Sequence, residues 1–464
     1  MIRAFNSYYS PRGILFFLAE GLLIFSSVVL AGLLPFAFQK GLVFGKDMLF
    51  LKAFIVTAVC QTCLSYNNLY SWKNGGTFHE LLPRLSQSIF AAALILAGLY
   101  YLAPSLTFGH GIFLISFAFC PLLLFSWRYL YRWLAGQRLL NERILIVGSG
   151  LLAKEIGVEL LSLKALGYQI VGFIDEDPAK VGIRLLNPSI IGEYGQLAAI
   201  AQKERINRIV VAPTERRGSL LVDGLLRCKL LGIKIEDGIS FFEQMTGKIP
   251  LEGLKPSWLI FSDGFNIQKT ARIVKRVMDI ILAASGIVLA IPFFIVIPLL
   301  IYFDSRGPIF YVQERVGEKG RLFRLIKFRS MRADAEADLG PVWSQEGDSR
   351  VTRMGRLMRK TRMDEIPQLF NVLKGEMSFV GPRPERPWFV EQLQKEIPYY
   401  PLRFSVKPGI TGWAQIKYRY GSSVKDAFEK LQYELFYIKN LSLFLDLSIL
   451  FSTIRVVLSG RGAR

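Results

Sequence analysis

Two adjacent carboxylates, Asp364 and Glu365, are the side chains of this 464-residue sequence best suited to phosphoryl chemistry. The following residues predict a helix over Glu365–Lys374, with Pro367 in its first turn and Gly375 closing it. Asp364 would then be the N-cap, at a helix end that favours phosphate. One carboxylate could attack phosphorus while the other holds Mg²⁺. The alternative is that the pair only caps the helix and complements its dipole.

Short motifs rich in basic, polar and glycine residues surround this pair. They are Asp304–Gly317, Lys327–Met331, Arg359–Leu369, Ser378–Pro384 and Lys407–Ile416. No cysteine follows Cys228 and no histidine follows His110, so chemistry in this half must use carboxylates, hydroxyls, Lys, Arg or an oxygen-bound metal. Thiol-dependent and histidine-dependent hydrolases are therefore excluded.

The composition combines apolar segments with a strong positive charge. Hydrophobic residues make up 52% of the chain and the mean hydropathy is +0.33, too apolar for an ordinary cytosolic enzyme. The net charge is +20, and the residues from Lys269 onward contribute +13 of it, from 32 Lys/Arg and 19 Asp/Glu. Such a field attracts lipid, nucleotide or nucleic-acid phosphates. Nucleic-acid binding rests on charge alone, without a supporting motif, so no nucleic-acid partner is predicted.

Four apolar stretches predict a helical membrane region at residues 1–135. Each is near the ~20 residues that cross a bilayer as a helix. Basic residues that follow the fourth stretch place the N-terminus and everything after Arg143 in the cytoplasm by the positive-inside rule, although three lysines of the first loop depart from it. The stretches are Ile14–Phe38, Met48–Tyr66, Ser86–Leu102 and Ile112–Leu130.

Residues 136–262 alternate strand-like and helical patterns, which predicts an α/β domain. The first strand leads into Gly148-x-Gly150 at a helix start, and the second ends at Asp175. This is the context of a Rossmann dinucleotide site. Because the signal is a single loop, we favour a Rossmann-like fold whose site is degenerate or regulatory.

The segment Val277–Phe303 is apolar except for Asp279 and contains Pro292 and Pro298. A plain span would carry the basic C-terminal domain, residues 263–464, out of the cell. Basic residues flank the segment on both sides, which favours a helix that enters the inner leaflet, breaks near Pro292 and returns. Further on, Leu441–Leu458 is interpreted as an amphipathic helix in the membrane interface.

These motifs, in this order behind a proline-interrupted apolar segment, resemble those of the monotopic phosphoglycosyl transferases. The whole chain resembles their large members, the polyprenyl-phosphate hexose-1-phosphate transferases, and most closely those associated with PEP-CTERM exopolysaccharide loci. The resemblance implies a membrane α-helical N-terminal bundle, an α/β Rossmann-like domain, and an α+β phosphoglycosyl transferase domain with a re-entrant membrane helix at about 272–303. It places the protein in the bacterial inner membrane with its catalytic domain on the cytoplasmic face.

The resemblance also implies a ping-pong reaction that initiates exopolysaccharide or O-antigen repeat units. Asp364 attacks the β-phosphate of a UDP-sugar, UMP leaves, and polyprenyl (undecaprenyl) phosphate then takes the hexose phosphate from the aspartyl intermediate. Glu365 helps to place Mg²⁺, and Asp446 is a second metal candidate. Other implied partners are inner-membrane lipid and a second copy of the chain in a homodimer. The implied substrate-binding residues are Gln313, Arg315, Lys327, Arg329, Arg359 and Arg383.

One motif departs from the family pattern. Its usual Tyr-Asp reads Tyr433-Glu434 here, so no ligand role is assigned to Glu434. A competing hypothesis from another functional class is a membrane-anchored nucleotide sensor or scaffold, in which Gly148 and Gly150 would matter more than Asp364. The sequence does not specify which hexose is transferred, because sugar discrimination depends on the shape of the pocket.

Overall fold

Most of the chain is described by a computed structural model. The described residues are 2–4, 7–9, 11–33, 46–67, 69–70, 78–107, 110–136, 141–162, 167–212, 219–252, 254, 256–262, 264–265, 268–332, 348, 350–418, 421 and 423–458. They form two compact units, one that is mainly residues 8–241 and one that is mainly residues 242–464. Two short strands begin the chain, β1 (Ile2–Ala4) and β2 (Ser7–Tyr9).

Four long helices occupy the region of the four predicted spans. They are α1 (Pro11–Leu33), α2 (Lys46–Tyr66), α3 (Phe78–Leu102) and α4 (His110–Gly136). The helices pack through apolar side chains that include the buried Ile24, Leu64, Leu85 and Leu124. The first predicted span ran to Phe38, and its last five residues lie outside the described part of the chain.

Length and composition suit several helices to a membrane. In the described part of the chain, four helical stretches are long and apolar enough to cross one: Gly13–Leu33, Met48–Tyr66, Leu81–Leu102 and Lys269–Asp304. Three of them belong to the N-terminal group, and the fourth is the predicted membrane segment of the C-terminal half. The protein is therefore membrane-associated.

A five-stranded parallel sheet follows, with helices between its strands. Its strands are β3 (Glu142–Val147), β4 (Tyr168–Asp175), β5 (Ile190–Glu193), β6 (Arg208–Val211) and β7 (Lys234–Asp237), and its helices are α5 (Leu151–Ser162), α6 (Leu197–Lys203), α7 (Ser219–Leu230) and α8 (Gly238–Thr246). The spatial order is β5-β4-β3-β6-β7. The central strand β3 ends in a fully buried Ile-Leu-Ile-Val run, as expected where helices cover both faces of a parallel sheet. The predicted α/β domain is confirmed.

The segment from residue 242 to 262 packs with C-terminal residues. Glu243 is 1% exposed and accepts hydrogen bonds from Lys439 and Asn440. Ile249 donates its backbone N–H to Gln432, and α9 (Pro256–Phe261) completes the segment. The sequence boundary had grouped these residues with the α/β domain.

Helix α10 (Lys269–Asp304) is a continuous 36-residue helix that contains both prolines. At 1.5 Å per residue it is about 54 Å long. The predicted break near Pro292 is not confirmed. C-terminal elements contact both halves of α10: Arg276 donates to two carbonyls of the 372–373 segment, and Ile301 packs with Met358.

The remaining elements of the C-terminal unit follow α10 in the chain. They are β8 (Phe310–Val316), β9 (Leu322–Phe328), α11 (Arg353–Thr361), α12 (Gln368–Lys374), β10 (Ser378–Val380), α13 (Pro387–Glu396), β11 (Gly409–Thr411), α14 (Trp413–Lys417), α15 (Val424–Lys439) and α16 (Leu443–Leu458). The strands β8 and β9 form an antiparallel hairpin, and β10 pairs in parallel with β11. Ala283 of α10 lies in one apolar core with Phe323, Leu325, Val372 and Met377, so α10, β9 and α12 hold one another in place.

Candidate active site

The two carboxylates lie in a short connection between α11 and α12. Arg362 reverses the chain with a left-handed φ of 60°, and Met363–Glu365 then form a single 3₁₀ turn. The prediction that a helix begins at Glu365 with Asp364 as N-cap is wrong. Helix α12 begins at Gln368, and Pro367 occupies its N-cap position. Gly375 closes the helix with a φ of 86°, as predicted.

Three cationic side chains converge on one oxygen of Glu365. Arg383 Nη2 lies 3.1 Å from Glu365 Oε1, and Lys327 Nζ and Arg362 Nη1 each lie 3.5 Å from it. Burial acts to raise the pKa of Glu365, but Arg383, Lys327 and Arg362 outweigh it and hold that pKa at about 2. Glu365 is therefore ionised throughout the physiological pH range.

Asp364 is in a different electrostatic position. Its side chain is buried, and among the described residues its Oδ1 accepts no hydrogen bond. Burial, reinforced by the neighbouring charge of Glu365, raises the pKa of Asp364 to about 6, although Lys327, Arg359 and Arg362 act to lower it. The pKa values of the two carboxyl groups thus differ widely, a pattern expected where each group has its own chemical role.

One face of the β8–β9 hairpin carries three of the predicted substrate-binding residues. Lys327 reaches Glu365, while Gln313 accepts a hydrogen bond from Arg315 at 2.6 Å. Arg315 also donates to the backbone carbonyl of Pro384 at 3.2 Å. Burial lowers the pKa of Lys327 to about 8. Lys327 therefore belongs to the carboxylate cluster directly, and the other two brace the loop that bears Arg383.

The two other basic candidates have different environments. Arg359, in the last turn of α11, donates to the Ser330 hydroxyl and acts electrostatically on Asp364, which places it at the cluster. Arg329 points elsewhere: it is 5% exposed and donates to the carbonyl and hydroxyl of Ser305, just after α10. The structure thus gives Arg329 a role in anchoring α10 and does not bring it to the carboxylates.

A buried ion pair between Arg403 and Glu434 holds the backbone of Arg383 in place. Arg403 makes two hydrogen bonds of 2.9 Å to the two oxygens of Glu434 and donates to the backbone carbonyl of Arg383 at 2.8 Å. Because both charges are nearly inaccessible, each depends on the other for compensation. Glu434 therefore compensates the buried charge of Arg403, which in turn holds the backbone at Arg383.

Asp446 lies in a separate cluster. One of its oxygens pairs with Lys275 of α10 at 2.7 Å, and the other accepts from the Tyr437 hydroxyl at 2.8 Å. Nearby, Asp279 accepts from Ser378. Both oxygens of Asp446 are used in attaching α16 and α15 to α10, so its surroundings do not support the predicted role as a magnesium ligand.

The carboxylate pair has oxygen atoms that suit Mg²⁺. In the described residues no group of three or more His, Cys, Asp or Glu side chains forms a metal cage. Mg²⁺ often needs no such cage, because one or two carboxylates together with substrate phosphates and water complete its shell. Among the described residues, Asp364 Oδ1 is buried without a hydrogen bond, and the ion pairs of Glu365 all involve Oε1.

Sequence reasoning missed Arg362, Glu385 and Arg403. Arg362 is two residues before Asp364, so its proximity was visible in the sequence, but its left-handed turn was not. Arg403 and Glu385 make their contacts with residues that are distant in the sequence. Periodicity and motif spacing do not predict such contacts.

Two family models match the chain. Residues 270–460 match a family described as bacterial sugar transferase, and residues 65–221 match a CoA-binding domain. The first match contains every residue of the carboxylate cluster. The second begins within the N-terminal helices and extends across most of the parallel sheet.

Several curated proteins are similar over longer stretches. A UDP-N-acetylgalactosamine-undecaprenyl-phosphate N-acetylgalactosaminephosphotransferase of Aeromonas hydrophila is 43% identical over 52% of this chain and 56% of its own length. A UDP-galactose-lipid carrier transferase of Erwinia amylovora is 32% identical over 75% of this chain and 74% of its own. A UDP-glucose:undecaprenyl-phosphate glucose-1-phosphate transferase of Escherichia coli (strain K12) is 34% identical over 68% and 67%.

Proposed function

Because the chain belongs to the bacterial sugar transferase family, we propose that it moves a hexose-1-phosphate from a UDP-sugar to polyprenyl phosphate and releases UMP. The names of the similar proteins agree on undecaprenyl phosphate or a lipid carrier as acceptor and differ in the sugar. The observation that carries the proposal is the buried Oδ1 of Asp364, which accepts no hydrogen bond among the described residues, beside a Glu365 whose Oε1 is ion-paired to three cations.

Asp364 is the proposed nucleophile of the first step. Its carboxylate oxygen forms a bond to the β-phosphorus of the UDP-sugar, and the bond from that phosphorus to the bridging oxygen breaks. UMP leaves with the electron pair. An oxygen of polyprenyl phosphate then attacks the same phosphorus, which frees the carboxylate and yields the polyprenyl-diphosphate sugar. Covalent catalysis of this kind divides one difficult displacement into two easier ones.

The cationic side chains stabilise the phosphate charge in both steps. Lys327, Arg359, Arg362 and Arg383 outnumber the two carboxylates of the cluster, so a diphosphate enters a site of net positive charge. The guanidinium fork of Arg383 can bind two phosphate oxygens at once. Its link to Glu365 fixes the fork before substrate arrives.

Mg²⁺ is proposed to bind at Glu365, with the substrate phosphates and water completing its shell. Once bound there, it would neutralise charge that develops on the phosphate oxygens. The oxygen-only chemistry of the pair supports this proposal, as does the fact that the ion pairs of Glu365 with described residues all use Oε1 rather than Oε2.

The membrane topology is also a proposal. Arg276 and Ile301 are separated by 25 positions of α10, about 37 Å of helix, yet both contact the same compact unit. Because α12 and α11 pack along this length of α10, we propose that α10 is held at the inner leaflet with both of its flanks on one side of the membrane. The catalytic residues would then face the cytoplasm, where nucleotide sugars are made, and the protein would reside in the bacterial inner membrane.

The parallel-sheet domain is proposed to be Rossmann-like and to take no part in the chemical step. Its strand order agrees with the 3-2-1-4-5 core of that fold, and Gly148 adopts a φ of 113° that favours glycine. Asp175, the candidate ribose ligand, pairs with Lys180 at 3.1 Å. That pairing supports a degenerate or regulatory site. A homodimer also remains a prediction.

Replacement of Asp364 tests the reaction directly. Asp364→Asn keeps the side-chain shape but removes the nucleophilic charge, so we expect UMP release to fall by about 10³-fold or more while the thermal unfolding midpoint stays close to wild type. The assay uses full-length protein in detergent with Mg²⁺, polyprenyl phosphate and a panel of UDP-sugars.

Glu365→Gln should also lose most activity, with partial recovery at higher Mg²⁺ concentration. Gly150→Ala tests the competing hypothesis, in which the parallel-sheet domain carries the function. We expect the transferase activity of Gly150→Ala to remain near that of wild type. Wild-type turnover by Asp364→Asn, or a loss confined to Gly150→Ala, would contradict the proposal.

The raised pKa of Asp364 predicts the pH dependence of the reaction. Asp364 must be ionised to attack, so kcat/KM should rise as the pH increases through about 6, and it should fall above about 8 as Lys327 loses its charge. Glu365→Gln removes a negative charge that raises the pKa of Asp364, so its residual activity should show the acid limb at lower pH. A profile that is flat from pH 5 to 7, or a limb that moves upward in the variant, would refute this assignment.

Cysteine labelling in intact cells tests the topology of α10. In a chain whose four native cysteines are replaced, Ser257→Cys and Arg321→Cys put single thiols at exposed positions before and after the helix. A membrane-impermeant maleimide should label neither in intact spheroplasts and both after lysis. Labelling of Arg321→Cys alone from outside would show that α10 spans the membrane.

A further inference from the structure

The side chain of Asn371, in the middle of α12, is bonded to the strand that carries Lys327. Its Nδ2 donates to the backbone carbonyl of Arg324 at 2.7 Å, and its Oδ1 accepts from the backbone N–H of Ile326 at 3.2 Å. The residue after Ile326 is Lys327, whose Nζ lies 3.5 Å from Glu365 Oε1. One side chain therefore connects the helix that follows the carboxylates with the strand that bears one of their cations.

Strand β9 has an edge that no other strand covers in the described part of the chain. There β8 and β9 form a two-stranded sheet, so the backbone groups on the outer edge of β9 need partners from elsewhere. Leu325, which lies between the two bonded residues, belongs to one apolar core with Val372 of α12, so this edge is buried against the helix. The Asn371 amide supplies an acceptor and a donor to that edge, as the backbone of a third strand would.

The hydrogen bonds at this position suit an amide and no other side chain of the same size. Asn371 is 0% exposed, and its Nδ2 also donates to Glu376 at 2.7 Å, so the amide bonds through both of its ends. An aspartate would fill the same volume, but it has no hydrogen to donate and would place its charge against the Glu376 carboxylate. Asparagine is also a poor helix former, so the stability of α12 does not explain its presence there.

We propose that Asn371 is a positioning residue for Lys327: by bonding to the backbone on both sides of Leu325, it fixes β9 where Lys327 meets the carboxylates and the phosphate under transfer. The inference rests on the function proposed above, in which Lys327 stabilises the phosphate charge. Because a lysine side chain is long and flexible, its ammonium is placed only as well as the backbone that carries it. A cation fixed in advance needs no reorganisation during the reaction.

Single-turnover kinetics without lipid acceptor tests this inference. With full-length protein, Mg²⁺ and a UDP-sugar, the amplitude of the UMP burst counts the competent molecules and its rate constant reports the chemical step. We expect Asn371→Ala to lower the rate constant at least about tenfold at nearly wild-type amplitude, because the cation is misplaced in a protein that still folds. Asn371→Asp, which keeps the volume and removes the donor, should lower the rate constant as well.

A buried amide elsewhere in the same unit gives the matched control. Asn440 is as fully buried as Asn371, but its amide donates to Glu243 and makes no hydrogen bond to β9. Asn440→Ala should therefore leave the burst rate constant within about twofold of wild type, even if the amplitude or the thermal unfolding midpoint falls.

A double-mutant cycle with Lys327 separates positioning from a general effect on the fold. If Asn371 acts through Lys327, Asn371→Ala should change the burst rate constant by less than about twofold in a Lys327→Met protein. The calorimetric affinity for UDP-sugar, measured in the same four proteins, should weaken on Asn371→Ala only where Lys327 is present. This second measurement does not depend on turnover.

Three kinetic results would overturn the inference: an unchanged rate constant in both Asn371 variants, the same loss with and without Lys327, or a loss of amplitude at an unchanged rate constant. Absence of a cooperative unfolding transition in both variants would overturn it too, because Asn371 would then be required for the fold itself. If wild type releases no UMP from any UDP-sugar, the proposed function fails, which is a different result from an active wild type whose Asn371 variants react normally.

Discussion

The burial of two adjacent carboxylates is the constraint on which the rest of the site depends, and among the described residues only Glu365 of the two is ion-paired. Removing a carboxylate from water is costly unless cations and hydrogen bonds compensate it. Arg383, Lys327 and Arg362 compensate Glu365, so its pKa falls. Asp364 receives less compensation, so burial raises its pKa to about 6, and its buried Oδ1 accepts no hydrogen bond among the described residues. A weakly solvated carboxylate poised near neutral pH, beside fixed cations, suits attack on a phosphate.

The surrounding fold maintains that imbalance. Helix α10 contacts both elements that flank the site. Its Arg276 binds the end of α12, and the apolar face of α10 packs on β9, the strand that carries Lys327. These contacts fix α12 and Lys327 relative to the carboxylate turn. Arg403, which is ion-paired with Glu434, donates a hydrogen bond to the backbone carbonyl of Arg383. These contacts fix the cations before substrate binds, which reduces the reorganisation that the reaction requires.

Sequence reasoning predicted what depends on local pattern. Apolar runs indicated the membrane helices, and buried strand runs indicated the parallel sheet, because both patterns follow from the burial of whole segments. Motif resemblance placed Lys327, Arg359, Arg383, Asp364 and Glu365 together, and the structure brings them together. It did not foresee the 3₁₀ turn at the carboxylates, because helix propensity around Pro367 favoured an earlier start. Arg329 and Asp446 have the right chemistry, yet long-range partners, Ser305 and Lys275, hold them elsewhere.

The central claim is that Asp364 carries the transferred group. Wild-type protein incubated with Mg²⁺ and a UDP-sugar, without lipid acceptor, and then digested for mass spectrometry tests it most directly. We expect the peptide that contains Asp364 to gain the mass of one hexose phosphate, to lose it when polyprenyl phosphate is added, and never to gain it in Asp364→Asn. An adduct on another residue, or UMP release with lipid acceptor but no adduct at any time point, would contradict the assignment of Asp364 as nucleophile.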